Sequence, residues 1–306
     1  MGNIAIIGLS GESIFMKVGN IPSPSVTTHA KEYHVEPGGK GYNQAVAAKK
    51  LGANVSYLMK IGNDQYGKVC EDYLINLDIK LVVEYDHEHN TALATILTED
   101  SGENSVIVYP GASSYLNEQS VLLFENAIKD ADVLLIQYEL PINVIKKAIA
   151  LAKKYDTQII LNPAPANYDE LEIINSVDVV TPNFEECKKI FNLPYAKVEE
   201  LGELLYRKYE PIIIVTLGNK GVLVVHKNWY KYFNAYNVDA VDTTGAGDIF
   251  NAGLAACMAD GKPILESIMF SMAASALSVT KPYIMDAIPS KDEVLSFQKL
   301  YNLKEK

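Results

Sequence analysis

The chain has 306 residues, with 27 basic and 38 acidic side chains and a formal net charge of −11. This acidic balance argues against nucleic acid or an anionic membrane surface as the main partner, because both attract a basic protein surface. Arg207 is the only arginine, so a cluster of arginines cannot be what binds a phosphate group here. The length and an ordinary apolar content of 48% predict one large or two modest globular domains.

No feature of the sequence indicates export or membrane insertion. The three cysteines, Cys70, Cys187 and Cys257, form no Cys-x-x-Cys pair and predict reduced thiols. Residues 4–8 are apolar and follow neither a basic region nor a cleavage motif, so they predict a first strand instead of a signal peptide. The apolar run at 264–279 contains a glutamate and several serines, which favours a buried helix over a membrane span. We therefore expect a cytoplasmic protein.

Short apolar segments alternate with helical patterns along most of the chain. Nearly all-apolar strands in such an alternation predict a parallel sheet covered by helices on both faces. The predicted strands are residues 4–8, 55–60, 133–137, 158–161, 177–181 and 212–217. The predicted helices are residues 43–51, 67–77, 142–154, 185–191 and 199–209. After residue 217 we expect an antiparallel pair at 221–225 and 229–233, followed by helices.

Two regions do not fit a buried parallel sheet. Residues 91–98 and 104–109 have a partly polar face and predict a hairpin around a turn at 99–102. Residues 15–33 contain two prolines and are predicted to be irregular. Strands from these regions would form a small separate sheet. That sheet would be either surface decoration or a lid over a site at the carboxyl ends of the main strands, where open α/β sheets bind ligands.

The first glycine-rich segment is residues 38–45, with the sequence GGKGYNQA. Glycines let the backbone approach a ligand closely, and the helix that follows offers free amides at its amino terminus. Asn43 adds a donor and an acceptor that suit sugar hydroxyls. A tight strand-to-helix turn without any ligand would account for the glycines equally well.

The second glycine-rich segment is residues 242–248, with the sequence DTTGAGD, before a helical pattern at 249–259. Amides between glycines at the start of a helix form a binding hole for an anion. Asp248 at its rim is placed to accept a proton from an attacking hydroxyl. The chain contains no Gly-Lys-Ser/Thr of a Walker loop, and the Gly-x-Gly at 245–247 lacks the third glycine of a dinucleotide-binding motif.

Together the two segments resemble the motifs of the ribokinase-like, or PfkB, family of carbohydrate kinases. Residues 38–45, with Gly52 and Gly62, resemble the amino-terminal motif, and residues 242–254 resemble the carboxyl-terminal one. Other similar segments are residues 161–166, 181–186 and 216–221. The resemblance implies a three-layer α/β/α sandwich with a mainly parallel central sheet and a small β-sheet lid. It further implies a single domain over residues 1–306, with the lid built from insertions at about 12–37 and 90–110.

The resemblance implies phosphorylation of a sugar hydroxyl by MgATP. Asp248 would act as the general base, while the backbone amides of Gly245, Ala246 and Gly247 would hold the charge on the transferring phosphoryl group. With one arginine in the chain, backbone dipoles, lysine and Mg²⁺ must supply the phosphate electrostatics. The implied substrate-binding residues are Ser13, Gly38, Gly39, Lys40, Asn43, Glu139 and Asp248.

The resemblance also implies nucleotide and metal positions. The implied nucleotide-binding residues are Asn183, Thr216, Gly218, Gly221 and Gly247. Asn183 and Glu186 would position Mg²⁺, largely through water. Asp242 and Thr244 fall where the family builds a site for a monovalent cation such as K⁺. Because lid strands with exposed edges often pair between subunits of the family, the resemblance also implies a homodimer formed through the lid.

Two departures from the family concern the substrate and the cation. Family members bind the sugar with an Asn and an Asp after the first strand, and Gly11 and Ser13 stand at those positions here. Ser13 can hydrogen-bond a hydroxyl but offers no carboxylate, and the neighbouring Glu12 is expected to point away in an extended strand. Residues 281–286 replace the family's usual Gly-Ala loop.

The main hypothesis is an ATP-dependent kinase of ribose or a related small sugar. The first alternative is a nucleoside or modified-nucleoside kinase of the same fold, motivated by the altered residues Gly11 and Ser13. The second is a sugar- or nucleotide-sensing protein without turnover. ADP release with a panel of sugars and nucleosides separates the three.

Overall fold

A computed structural model describes residues 1–100, 104–166 and 171–304. Within these ranges the main sheet has nine strands. Seven adjacent strands are joined by parallel pairing, and the remaining two, at one edge, are added by antiparallel pairing. In spatial order the strands are β13 (Trp229–Phe233), β12 (Val222–His226), β11 (Ile212–Thr216), β10 (Val179–Val180), β9 (Gln158–Asn162), β8 (Val133–Gln137), β1 (Asn3–Ile7), β4 (Asn54–Gly62) and β5 (Lys80–Asp86). The mainly parallel sheet is therefore confirmed.

Alternate residues of each strand enter two different hydrophobic layers, because successive side chains in a strand point to opposite faces. Ile4 and Ile6 pack in one layer, whereas Ala5 and Ile7 pack in the other. The first layer contains α1 (Lys40–Lys50), α2 (Gln65–Asn76), α9 (Ala246–Ala259), α10 (Ile264–Ser278) and α11 (Lys291–Lys304). The second contains α3 (Glu118–Leu123), α4 (Glu125–Lys129), α5 (Ile142–Lys154), α6 (Leu171–Ile174), α7 (Phe184–Ile190) and α8 (Leu201–Leu205). The predicted three-layer α/β/α sandwich is confirmed.

Most of the predicted elements are present, with shifted ends. The edge strand β5 was not predicted, because its side chains are mostly half-buried and lack the all-apolar pattern of a central strand. The predicted helix at 199–209 is wrong in length. A single 3₁₀ turn (Val198–Glu200) precedes α8, which ends at Leu205, and Arg207 has a φ of 59° that an α-helix cannot contain.

The apolar run at 264–279 forms a buried helix, as predicted. Three of its serines return hydrogen bonds to the backbone at the start of the helix or within it; the Oγ of Ser271, for example, donates to the carbonyl of Ser267 at 2.7 Å. The Oγ of Ser275 instead donates to the carbonyl of Ala246 in α9. This lets polar side chains lie in an apolar layer without unsatisfied groups. Over the described part of the chain, every helix is too short or too polar to traverse a bilayer.

A second, smaller sheet lies beside the carboxyl end of β1. Its strands, in spatial order, are β3 (Glu32–Gly38), β2 (Gly11–Val18), β6 (Ala92–Glu99) and β7 (Asn104–Tyr109). The predicted hairpin is present as β6 and β7, and its predicted turn runs into residues 101–103, which lie outside the described residues. The prediction that 15–33 is irregular is wrong at both ends, because β2 continues to Val18 and β3 begins at Glu32. Three residues separate β1 from β2, so the small sheet begins where the main strands end.

Candidate active site

Asp248 lies in the first turn of α9, immediately after the second glycine-rich segment. Gly245 precedes this helix with a φ of 75°, in the left-handed region that favours glycine. The Asp248 side chain is only 7% exposed. The amide nitrogen of Asn43 donates to its Oδ2 at 2.9 Å, and that of Gln44 donates to its Oδ1 at 3.0 Å. The packing of α1 on α9 therefore brings the two glycine-rich segments together around one carboxylate.

Lys40 provides the positive charge of the site. Its backbone N–H donates to Oε2 of Glu139 at 2.9 Å. Burial disfavours its charged form, but attraction to Asp248, Glu139 and Glu186 outweighs burial and raises the Lys40 pKa. Burial also raises the pKa of Asp248, against the opposing charge of Lys40 and the two amide hydrogen bonds. The site thus holds a cation among three carboxylates, one of which is a strengthened base.

Glu139, which follows β8, has a pKa raised to about 7. Burial is the largest cause, and repulsion by Asp248 adds to it; attraction to Lys40 and the hydrogen bond from its amide act in the opposite direction. In the folded protein this group therefore changes its charge near neutral pH.

The Glu139→Gln variant is expected to lose part of the pH dependence of stability. A carboxyl whose pKa rises from 4.5 to about 7 on folding stabilises the fold below the lower value and loses that contribution as pH rises through the higher one. Glutamine does not ionise, yet its oxygen can still accept the Lys40 amide. The wild type should therefore lose stability relative to the variant between about pH 5 and about pH 8. In thermal melts, the Tm of the variant minus that of the wild type should become more positive over this range.

The exposed Glu118 supplies the matched control. Glu118→Gln removes the same charge without changing a buried group, so its Tm should follow that of the wild type at each pH. A Glu139→Gln difference in Tm that stays constant with pH would contradict the raised pKa.

A buried amide network behind Asp248 was missed in the sequence. The amide nitrogen of Gln137 donates to Oε1 of Gln44, and the amide nitrogen of Gln44 donates to Oδ1 of Asn162 at 3.2 Å as well as to Asp248. The amide nitrogen of Asn162 in turn donates to the carbonyl of Thr181 at 3.2 Å. These bonds set which atoms of Gln44 face the carboxylate.

A second branch of this network reaches the glycine loop. The hydroxyl of Thr181 donates to Oδ1 of Asn251 at 2.6 Å, and the amide nitrogen of Asn251 donates to the carbonyl of Gly247 at 2.8 Å. Position in the sequence could have revealed this network. Gln137 and Asn162 are polar residues that end buried apolar strands, and α/β sheets place their binding sites at such strand ends.

Three of the predicted sugar-binding residues, Ser13, Gly38 and Asn43, meet where β2 and β3 adjoin the start of α1. A Cβ added to Gly38 would lie 2.3 Å from the hydroxyl of Ser13 and 3.8 Å from Oδ1 of Asn43. Any larger residue at position 38 would collide with the Ser13 hydroxyl, so glycine is required here. Oδ1 of Asn43 is buried and accepts no hydrogen bond from the residues that the structure describes, so it offers an acceptor to a bound molecule. Glu12 lies near Asp64, whose repulsion adds to burial in raising its pKa.

Four of the five predicted nucleotide-binding residues line one cavity, and Asn183 is not part of its wall. Thr216, Gly218 and Gly221 surround about 350 Å³ together with Gly247 and Ala246 of the glycine loop. Much of the remaining wall is apolar and comes from the segment at 235–240 and from α10. A larger cavity of about 590 Å³ lies at the amino ends of β1, β4 and β5, and none of the predicted site residues lines it. The cavity next to the glycine loop is therefore the candidate nucleotide site.

Asn183 and Glu186 form the start of α7. The Glu186 backbone N–H donates to Oδ1 of Asn183, and the Asn183 backbone N–H donates to Oε2 of Glu186, both at 2.8 Å. Burial raises the pKa of Glu186, whereas its bond to Asn183 and the charge of Lys40 lower it. The described residues contain no cluster of three or more His, Cys, Asp or Glu side chains arranged for a metal. One carboxylate is a donor set that fits Mg²⁺, which keeps several waters and binds substrate phosphates.

The predicted cation-binding residues lie at the start of the second glycine-rich segment. Oδ1 of Asp242 accepts the Thr244 amide at 2.9 Å, and Oδ2 accepts the Tyr283 amide at 3.0 Å. Each carboxylate oxygen retains a further lone pair. The donor chemistry fits a monovalent cation, and the assignment stays a prediction.

Comparison with known proteins identifies the family. The pfkB family carbohydrate kinase model matches residues 1–291. The ribokinase of Haemophilus influenzae is 33% identical over 298 residues, which cover 96% of this chain and 97% of that protein. The chain therefore belongs to the pfkB family of carbohydrate kinases, which confirms the resemblance found in its glycine motifs.

Solved structures agree with this assignment. The ribokinase of Thermotoga maritima matches with a TM-score of 0.84 and 35% identity, covering 98% of this chain and 100% of that chain. An Arabidopsis thaliana ribokinase, solved with ribose and ATP, shares the fold with a TM-score of 0.85 at 24% identity, covering 97% of this chain and 99% of that chain. The enzyme class is that of a ribokinase-like carbohydrate kinase.

Proposed function

We propose that this protein transfers the γ-phosphoryl group of ATP to a hydroxyl of ribose or a closely related small sugar. The observation that carries the proposal is the buried Asp248 carboxylate, which accepts the side-chain amides of Asn43 and Gln44 in the first turn of α9. The similarity to proteins named ribokinase supports ribose as the first sugar to test.

Asp248 acts as the general base in this proposal. The sugar enters between the small sheet and α1, where Oδ1 of Asn43 and the hydroxyl of Ser13 receive its hydroxyls. The sugar oxygen attacks the γ-phosphorus of ATP, and the bond from that phosphorus to the oxygen bridging the β- and γ-phosphates breaks, which releases ADP. The hydroxyl proton passes to Asp248. Its raised pKa improves proton acceptance at neutral pH.

The negative charge that develops on the phosphoryl group is held by backbone amides and by Lys40. The amides of Gly245, Ala246 and Gly247 open α9 and carry the positive end of its dipole. When bound, Mg²⁺ neutralises charge on the phosphate oxygens. Asn183 and Glu186 would hold it, largely through water. Asp242 and Thr244 would hold a monovalent cation at the start of this loop.

The small sheet acts as a lid in this proposal and joins two copies of the chain. Its position at the carboxyl end of β1 and the contact of Ser13 with the first glycine segment support the lid. Exposed apolar side chains on its strands support pairing with a second copy; Ile107 is 70% and Tyr33 is 74% exposed. Light scattering of the purified protein measures the mass of the particle and tests the dimer.

ADP release with ATP and a panel of sugars and nucleosides tests the proposed reaction. Turnover with ribose or a related pentose, and none with nucleosides, supports the proposal. Preference for a nucleoside would overturn the sugar assignment and keep the kinase. Tight binding of a sugar or nucleotide, without turnover on any acceptor, would identify a sensing protein.

The Ser13→Asp variant is expected to raise kcat/KM for ribose by about tenfold, because a charged acceptor strengthens a hydrogen bond to a hydroxyl by about 1.5 kcal/mol. Ser13→Asn provides the uncharged control of nearly the same size and should gain less. Steady-state kinetics with ribose measure both variants. No gain, or a loss, for the aspartate variant would show that the pocket suits a different acceptor.

A further inference from the structure

Glu36 is a buried carboxylate that the proposed mechanism does not use. It lies on β3, is 7% exposed, and pairs directly opposite Ser13 of β2. Residues directly opposite each other in an antiparallel pair share one face of the sheet. Glu36 therefore shares the face of the small sheet on which Ser13 meets the first glycine segment.

Both carboxylate oxygens of Glu36 are bound to the loop at 279–288. Oε1 accepts the backbone N–H of Ile284 at 2.9 Å, and Oε2 accepts that of Met285 at 3.2 Å. The Nε2 atom of His34 lies 3.3 Å from Oε2. One side chain of the small sheet thus binds two successive amides of a segment 248 residues away.

Aromatic rings reinforce the same contact. The ring of Tyr283 stacks on His34 with 3.9 Å between centroids and an interplanar angle of 17°, and it meets the ring of Phe15 edge-on at 5.5 Å. Phe15 and His34 are paired opposite each other, on the face that carries Glu36. Tyr283 has a φ of 62°, so the loop is held in a backbone conformation that a tyrosine rarely adopts.

The other side of the 279–288 loop contacts residues 242–248, the second glycine-rich segment and proposed phosphate-binding loop. The Tyr283 amide donates to Asp242, whose second oxygen accepts the amide of Thr244. A Cβ on Gly245 would lie 3.0 Å from the side chain of Ile284, so the two residues touch. The segment at 283–285 therefore contacts the small sheet on one side and residues 242–245 on the other.

We propose that Glu36 is a positioning residue for phosphoryl transfer, which couples the small sheet to the phosphate-binding loop through residues 283–285. Sugar binding beside Ser13 then stabilises the sheet position that holds Tyr283 and Ile284 in place. Those two residues in turn hold Asp242 and Gly245, and with them the amides that receive the phosphoryl group. This inference rests on the proposed function for its kinetic consequence but not for the contact itself.

The test compares Glu36→Gln with Glu32→Gln, which removes the same charge from an exposed position of the same strand. Glutamine keeps one acceptor but turns an NH₂ group toward the amide of either Ile284 or Met285. We expect Glu36→Gln to lower kcat/KM for ATP by about tenfold, as expected when a catalytic group is slightly misplaced. The KM for ribose should change by less than about twofold. Glu32→Gln should match the wild type.

Hydrogen exchange in the absence of substrate provides a readout that does not depend on turnover. We expect Glu36→Gln to speed exchange in peptides covering residues 283–285 and also in those covering residues 243–248. Faster exchange at 283–285 alone, with unchanged kinetics for ATP, would mean that Glu36 only anchors the loop and would overturn the proposal. A change confined to the KM for ribose would overturn it too, since that is the signature of a local effect on the sugar pocket.

A second variant covers the case in which Glu36→Gln does not fold. His34→Ala removes the ring stacked on Tyr283 from a partly exposed position, and the same two peptides should exchange faster. Unchanged exchange at 243–248 in His34→Ala would then overturn the proposal. If the wild type turns over none of the sugars, the proposed function fails, while the exchange experiment still decides the role of Glu36.

Discussion

Asp248→Asn is expected to lower kcat by about 10³-fold, within the range by which a positioned general base accelerates a reaction. The carboxylate accepts the amide groups of Asn43 and Gln44 and is otherwise available to the sugar hydroxyl. An asparagine at this position can no longer take a proton. Steady-state kinetics with ATP and the best sugar of the panel measure the loss.

Nucleotide binding should survive this substitution, because Asp248 does not line the cavity formed by Thr216, Gly218 and Gly221. Calorimetric titration with an ATP analogue should give a Kd within about threefold of the wild-type value. Two effects on stability have opposite signs: a buried charge is removed, but the new NH₂ group faces one of the two donors. The Tm is therefore expected within about 5 °C of the wild type.

Asp260→Asn is the matched control, since Asp260 caps the opposite end of the same helix and binds Gly2 and Lys291. It should keep full activity. If Asp248→Asn retained more than about a tenth of the wild-type kcat, the base would have to be another group, because a general base contributes at least about 10²-fold.

Lys40→Met is expected to lower kcat/KM by about 10²-fold, because it removes a charge that would stabilise the transferring phosphoryl group. It also leaves Asp248, Glu139 and Glu186 without their common cation. Methionine keeps an unbranched side chain of similar length, so packing changes little. Kinetics with varied ATP and varied sugar separate binding from the chemical step.

The same variant makes a signed prediction for pH dependence. The charge of Lys40 lowers the pKa of Asp248 and thus opposes the effect of burial. Without Lys40 the base stays protonated to a higher pH, so the acid limb of the kcat/KM profile should move upward. A downward or absent shift would show that Lys40 does not act on Asp248.

Lys49→Met on the same helix is the control, because Lys49 binds the exposed Asp78 instead of the site. Its kinetics and pH profile should match those of the wild type. A loss comparable to that of Lys40→Met would indicate a general effect on α1 and not a role in phosphoryl transfer.

Local chemistry explains why the two glycine-rich segments could be interpreted from the sequence. The residues of the proposed phosphate-binding loop are neighbours in the chain, so Gly245, Gly247 and Asp248 appear together. The alternation of apolar segments with helical patterns likewise reflects strands buried on both faces. By contrast, the half-buried edge strand β5 and the early end of α8 depend on what packs beside them.

The amide network behind Asp248 shows why other parts of the site could not be predicted. Gln44, Gln137 and Asn162 are separated by many residues and share no single local motif, yet their side chains bind one another. Glu36 is a similar case. In the sequence it is one acidic residue in a predicted insertion, and only the tertiary structure places it against the amides of Ile284 and Met285.

The sequence by itself determined the fold class, through local periodicity, and the family, through the resemblance of its two glycine motifs. Those motifs of adjacent residues also supplied the candidate groups for the proposed phosphoryl transfer. The tertiary structure decided which of those groups share a charge environment. Burial and the carboxylates around Lys40 set the pKa of Asp248 and of Glu139. It also decided how the small sheet is linked to the second glycine-rich segment, because that link joins β3 to a segment near the other end of the chain. Desolvation and contacts between distant residues exist only after the chain has folded.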